Sequence, residues 1–128
     1  MRRASLVLAG WSIFIWVTRI KNADGDVGVT IYAGALVAVA IVVALLAWKR
    51  RPQLRAAARL LAVITGAIWA IRLPSIMLNE HPAGFKVVHA VLGIASFGLA
   101  AWVLREDHIQ RKREATATTA GLQELADR

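Results

Sequence analysis

The chain has 128 residues, 58% of them hydrophobic, a net charge of +8 and no cysteine. That length allows one domain at most, and the lack of cysteine excludes disulfides, thiol catalysis and thiolate metal sites. The positive charge does not point to nucleic acid, because the basic residues flank long charge-poor runs and no recognised binding motif accompanies them.

Arg2 and Arg3 open the chain, and an apolar run follows to Ile20. A secretory signal also begins this way, but Thr18-Arg19-Ile20-Lys21 stands where small residues of a cleavage site belong. The run therefore predicts an uncleaved first span over 4–22, since about 20 residues cross a hydrocarbon core of roughly 30 Å. Lys21 to Asp26 contains Asn, Asp and Gly, the residues of a turn. The second span, 27–48, has no charge, and Trp48 closes it at the interface. Its small-residue spacings, Gly34 to Ala38 and Ala40 to Ala44, predict close helix contact, because packing drives helix association in lipid. Lys49 to Arg55 is a basic loop, and the third span covers 56–78. Ala62, Gly66 and Ala70 give that span a second small face, and Pro74 predicts a kink or an end. Asn79 to Gly84 forms the second short turn, and the fourth span covers 85–104. Residues 105–128 read as a tail, helical as far as about Glu114 and largely disordered through the Ala-Thr stretch beyond. The fold class is all-α: a four-helix transmembrane bundle over 1–104, made of two similar hairpins.

Lys and Arg collect at the start, in the loop 49–55 and in the tail, whereas the two turns hold Lys21 and several acids. The positive-inside rule then predicts that both termini are cytoplasmic. An Ala-, Val- and Arg-rich composition fits a high-GC bacterium, and the plasma membrane is the expected location.

One pattern occurs twice. Ser12, Ile15, Trp16 and Arg19 share a helix face, and Thr65, Ile68, Trp69 and Arg72 repeat it 53 residues later. Each copy closes the first helix of a hairpin and precedes a short acidic turn. A duplication would relate the hairpins by a pseudo-twofold axis along the membrane normal; convergent use of Trp and Arg at an interface is the alternative.

The candidate polar cluster is Arg19, Arg72, Glu80 and His89. Arg72 precedes Asn79 by seven residues, roughly 10 Å of helix, and an unpaired arginine at that depth costs a few kcal/mol on insertion scales, about 3 at a span centre. Its expected acceptors are Glu80, Asp24, Asp26, the backbone freed by Pro74, or lipid phosphate. Anchoring at the interface is the favoured role for both arginines, and a paired cationic site for an anionic headgroup or substrate is the sharper one. His89 lies about one turn into the fourth span, and a structural hydrogen bond is its first reading. Haem is disfavoured because no second histidine falls within a span. Glu80, His81 and His89 have metal-ligand chemistry, but their spacing matches no recurring metal motif. Trp11, Phe14 and Trp16 suit either a quinone or lipid cleft or plain helix packing.

The Trp-rich run at 11–19, with Asn22, Asp24 and the later Phe85-Lys-Val-Val-His89, resembles short four-span membrane proteins of actinobacteria. The resemblance covers 5–104 and implies the four-span fold without assigning chemistry. Small multidrug exporters carry a glutamate in the first span, and this chain has none. The expectation is a non-enzymatic accessory, scaffold or lipid-associated subunit with no cofactor and no metal. Its expected partners are membrane lipids and a larger complex or a second copy. A small oligomeric transporter or channel and a haem- or quinone-associated redox subunit are the alternatives.

Overall fold

The structure, a computed structural model, describes residues 1–127 apart from the side chain at position 124. It is all-helical: α1 (Arg2–Lys21), α2 (Val27–Trp48), α3 (Leu54–Leu78) and α4 (Ala83–Ala126). Each helix is long and apolar enough to cross a membrane.

The breaks between helices follow local chemistry. Asp24 and Gly25 take positive φ, 46° and 83°, where short polar residues and glycine are tolerated. The Asp26 carboxylate then accepts from the Val29 N–H at 3.0 Å and caps α2. In the second hairpin, the Asn79 side chain donates to the Ser75 carbonyl at 2.7 Å and closes α3. Lys86 donates to the Met77 carbonyl at 2.9 Å and ties the start of α4 to the end of α3. α3 does not end at Pro74; it runs through the proline to Leu78.

Each hairpin packs most extensively on itself, α1 on α2 and α3 on α4. The α1–α4 and α2–α3 seams join the two pairs, and α1 meets α3 across the diagonal. Buried positions recur in steps of three and four, the spacing of helices packed nearly in line. In α2 they are Ala33, Leu36, Ala40, Val43 and Ala47. In α4 they are Gly93, Ser96, Ala100, Val103 and Asp107, each 60 residues later. Ser5, Leu8, Ala9, Ser12 and Trp16 of α1 have buried counterparts in Ala58, Leu61, Ala62, Thr65 and Trp69 of α3, each 53 later.

Most of these inward residues are small, and many large apolar side chains face outward, among them Phe14, Ile31, Leu45, Ile71 and Ile94. In water that arrangement would forfeit hydrophobic stabilisation. In lipid it gives close backbone packing without a solvation penalty. The expected small faces are only partly used. Ala40 and Ala62 are buried, but Gly34 and Gly66 border open space and Ala38 and Ala70 are exposed. The tightest glycine contact is at Gly93, where a Cβ would meet the Trp69 ring at 3.0 Å and Leu73 at 3.3 Å.

Where the sequence predicts a helix to about Glu114 and disorder through the Ala-Thr stretch beyond, the structure carries α4 on to Ala126. The first part is held against α3. Arg55 donates to Asp107 at 2.9 Å and to the Glu114 carboxylate at 2.6 and 2.8 Å, and Arg111 donates to Asp107 at 3.0 Å. The α-amino group of Met1 pairs with Glu106 at the same end. Burial pushes the Asp107 carboxyl up, but the Arg55 hydrogen bond and the Arg111 charge outweigh it and hold it below the ordinary carboxylate range. Beyond Glu114 the described side chains are exposed, and Thr116, Thr118 and Thr119 each donate to the carbonyl four residues back.

Candidate functional site

A cavity of about 440 Å³ opens at the turn end of the bundle between α1, α3 and α4. α1 supplies Ile15, Trp16, Thr18, Arg19 and Asn22 from its last two turns; α3 supplies Trp69 and Arg72; α4 supplies Phe85, Val88, His89 and Leu92. The walls are mostly apolar, and the polar groups come from three different helices.

Arg72 is held from behind. Its Nη1 donates to the Tyr32 hydroxyl of α2 at 2.9 Å. Tyr32 is fixed in turn by Trp16, whose ring meets the phenol edge-on at 81° and 5.7 Å between centroids. Arg19 also approaches the Tyr32 hydroxyl, yet its Nε is enclosed and has no acceptor. Among the described residues no carboxylate pairs with Arg19 or Arg72.

His89 Nδ1 lies 2.9 Å from the Phe85 carbonyl of its own helix. A carbonyl only accepts, so that nitrogen carries the proton, and Nε2 is left as an acceptor, or as a donor when the ring is charged. The rings of His81, Phe85 and His89 form a stack, with centroids 4.7 and 3.9 Å apart. Trp69 backs the cavity on the glycine step at Gly93.

Of the residues singled out from the sequence, Arg19, Arg72 and His89 meet at one cavity. The two arginines do not diverge to separate lipid faces. Glu80 is exposed in the second turn and does not line the cavity; Asp24 and Asp26 are also exposed, and Asp26 is committed to capping α2. The described residues contain no group of three His, Asp or Glu able to hold a metal ion. Of the three aromatics flagged near the start, Trp16 lines the cavity. Trp11 instead donates from Nε1 to the Ser96 hydroxyl at 2.9 Å and joins α1 to α4, and Phe14 is exposed.

Tyr32 escaped the sequence reading, although a signal was present. It is the only tyrosine, and it lies five residues inside α2, close to the depth of Arg72 inside α3. A phenol at the depth of an unpaired arginine is a ready acceptor with an apolar body.

Chemically the arrangement offers two guanidinium groups, an imidazole and a carboxamide around an apolar hollow. That set can donate hydrogen bonds to acceptor oxygens. No family model matches the chain, and no curated protein and no solved structure matches it either.

Proposed function

We propose that the chain is a small, non-enzymatic integral protein of the bacterial plasma membrane. It acts as a lipid-associated accessory subunit that takes the polar end of an amphiphile into the turn-end cavity. The observation that carries this reading is the meeting of Arg19, Arg72 and His89 at one mostly apolar cavity without a carboxylate to neutralise them. A guanidinium at membrane depth is unfavourable unless its donors are met, and an acceptor-bearing amphiphile meets them while its apolar part covers the walls.

The basic end, with Arg2, Arg3, Lys49, Arg50, Arg51 and the α4 extension, belongs in the cytoplasm by the positive-inside rule, so the cavity faces outward. Binding is favoured over conduction because Leu8, Ala9, Leu61, Ala62, Val43 and Val103 pack without solvent access along the bundle axis toward the basic end. The exposed apolar perimeter serves contact with lipid, a larger complex or a second copy.

Native mass spectrometry of detergent-purified protein tests the reading. The wild type should carry a co-purified amphiphile that the double variant Arg19→Gln/Arg72→Gln loses. Retention of the same bound mass by the double variant would overturn it. Orientation is read separately. The chain has no cysteine, so Asp24→Cys and Arg113→Cys each introduce a single reporter, and only the first should react with an impermeant maleimide added to whole cells.

A further inference from the structure

We propose that the occupant of the cavity is an aromatic ring carrying an acceptor oxygen, an amphiphile of the phenol or quinone class, seated where a second Tyr32 would lie. This rests on the reading that the cavity binds an amphiphile and specifies which chemistry it takes.

The inference comes from applying the internal correspondence of the two hairpins to the cavity. α1 maps onto α3 with an offset of 53, and α2 maps onto α4 with an offset of 60, both read from buried positions in the middle of the helices. The basic end checks the registers independently. Arg2 Nε donates to the Ala47 carbonyl at 3.0 Å, and Arg55 Nε donates to Asp107 at 2.9 Å. Arg55 is the counterpart of Arg2, and Asp107 is the counterpart of Ala47. The same donor atom, at corresponding positions, finds its acceptor on the corresponding helix.

At the turn end the correspondence fails on one side. Arg72 donates to Tyr32, and Trp16 packs edge-on against the Tyr32 ring. Exchanging the hairpins turns these partners into Arg19, Trp69 and Leu92. Leucine offers neither an acceptor nor a flat ring. On that side Arg19 has no phenol of its own: its side chain approaches the Tyr32 hydroxyl already used by Arg72, its Nε has no acceptor, and the space opens as the cavity lined by Arg19, Trp69 and Leu92. One seam is thus filled by a phenol supplied by the chain. The other has the guanidinium and the indole that would hold a phenol, but no phenol.

The complement of this half-site is specific. It needs an acceptor oxygen at Arg19, a ring against Trp69, and an apolar extension leaving past Phe85 and Val88. His89 Nε2 is available to a second oxygen on the ring. A volume of about 440 Å³ lies within the usual range for a ring and the first part of a tail. A phospholipid headgroup would use the arginines but would leave the indole wall without a flat partner.

The test uses the full-length wild type in nanodiscs and two ring probes, decylubiquinone and 4-octylphenol, with dioleoylphosphatidylglycerol as the competing lipid. Binding is read by thermal shift and by saturable quenching of tryptophan fluorescence. Two variants accompany it. Arg19→Gln removes the donor, and Leu92→Tyr supplies the missing phenol from the chain. The expected result is saturable ring binding that weakens about tenfold or more in Arg19→Gln, disappears in Leu92→Tyr and survives excess dioleoylphosphatidylglycerol. If the phospholipid binds and is lost in both variants while the ring probes do not distinguish them from wild type, the ring inference is wrong and amphiphile binding stands. If neither probe class distinguishes either variant from wild type, both fail. Should Leu92→Tyr not fold, ring binding unchanged in Arg19→Gln is sufficient to overturn the proposal.

Discussion

Tyr32→Phe removes one oxygen atom and leaves Arg72 without the acceptor it has in the structure. A hydrogen bond to a charged group is worth roughly 1.5–3 kcal/mol when desolvated. Arg72 is half-buried and close to the turn end, so its side chain can partly recover solvation by reaching toward the headgroups. That places the loss below this range, at about 1 kcal/mol. Phenylalanine keeps the ring, so the edge-on contact with Trp16 is retained and the change isolates the polar interaction. Tyr32→Leu removes both and should cost a further 0.5–1.5 kcal/mol or so for the lost aromatic pair. The measurement is reversible unfolding of the purified protein in mixed micelles titrated with dodecyl sulfate. Midpoints are converted to free energies, and Arg72→Met and the double variant complete a thermodynamic cycle. A coupling of about 1 kcal/mol between the two positions is expected. If Tyr32→Phe is neutral, or if its effect adds to that of Arg72→Met without coupling, the pairing contributes nothing and the account of the filled seam is wrong.

The two arginines should differ in the same assay. Arg72→Met destabilises, whereas Arg19→Met in ligand-free protein is neutral or stabilising, since it removes an enclosed donor that has no acceptor; equal losses would contradict the asymmetry. Gly93→Ala drives a methyl group to 3.0 Å from Trp69 and should cost about 1 kcal/mol or more through overpacking. Gly66→Ala enters open space and should be neutral or slightly favourable, so similar effects at both glycines would show that the Trp69 contact is not close. Asp107 is held below the ordinary carboxylate range, so its stabilising contribution is complete above about pH 4, its unfolded value, and is lost as pH falls through the lower folded value. Unfolding midpoints between about pH 4 and 2 should therefore fall less steeply in Asp107→Asn than in wild type, and equal slopes would refute the assignment.

The fold was legible because the membrane imposes a coarse code. Charge-poor runs of the right length mark helices, and Asp24-Gly25 and the Asn79–Pro82 segment mark turns, so four helices long enough to span follow from composition and length. The finer packing was less legible. Glycine and alanine at four-residue spacing mark faces that can approach closely, but they do not say which of several such faces is used. Gly34 and Gly66 fit the pattern and border empty space, while Gly93 fits it less obviously and carries the tight contact. The continuation of α4 to about Glu114 was expected, but its extension to Ala126 was not, because the Ala-Thr stretch reads as low complexity and carries no apolar stripe to mark a helix face. For the cluster, the repeat identified Arg19 and Arg72 and depth identified His89, since ionisable groups in a span stand out. Glu80 was chosen by charge, and an acid in a turn is already satisfied by water. Tyr32 was not legible as the acceptor because it lies 40 residues from Arg72 on another helix, and a phenol carries no charge to mark it.

The departures from symmetry between the hairpins also lie on one kind of helix. α1 and α3 keep the donors and the indoles at corresponding places: Arg2 with Arg55, Trp16 with Trp69, Arg19 with Arg72. The acceptor positions on α2 and α4 differ at both ends of the bundle. At the basic end a backbone carbonyl at Ala47 is answered by the carboxylate of Asp107, which recruits Arg111 as well and extends α4 beyond the bundle. At the turn end the phenol of Tyr32 is answered by Leu92, and a cavity takes the place of a contact. Both changes replace side chains at the ends of seams whose middles are held by small residues. A cavity could also arise by truncating a core residue, but that leaves an apolar void costing about 24 cal/mol per Å³ with no polar group facing it. Here the truncated position faces a guanidinium whose counterpart is satisfied, so the hollow acquires a chemical preference inherited from the filled seam. A residue that restores the phenol at 92 should therefore both stabilise the ligand-free protein and abolish binding, two effects that a general change in packing would not join.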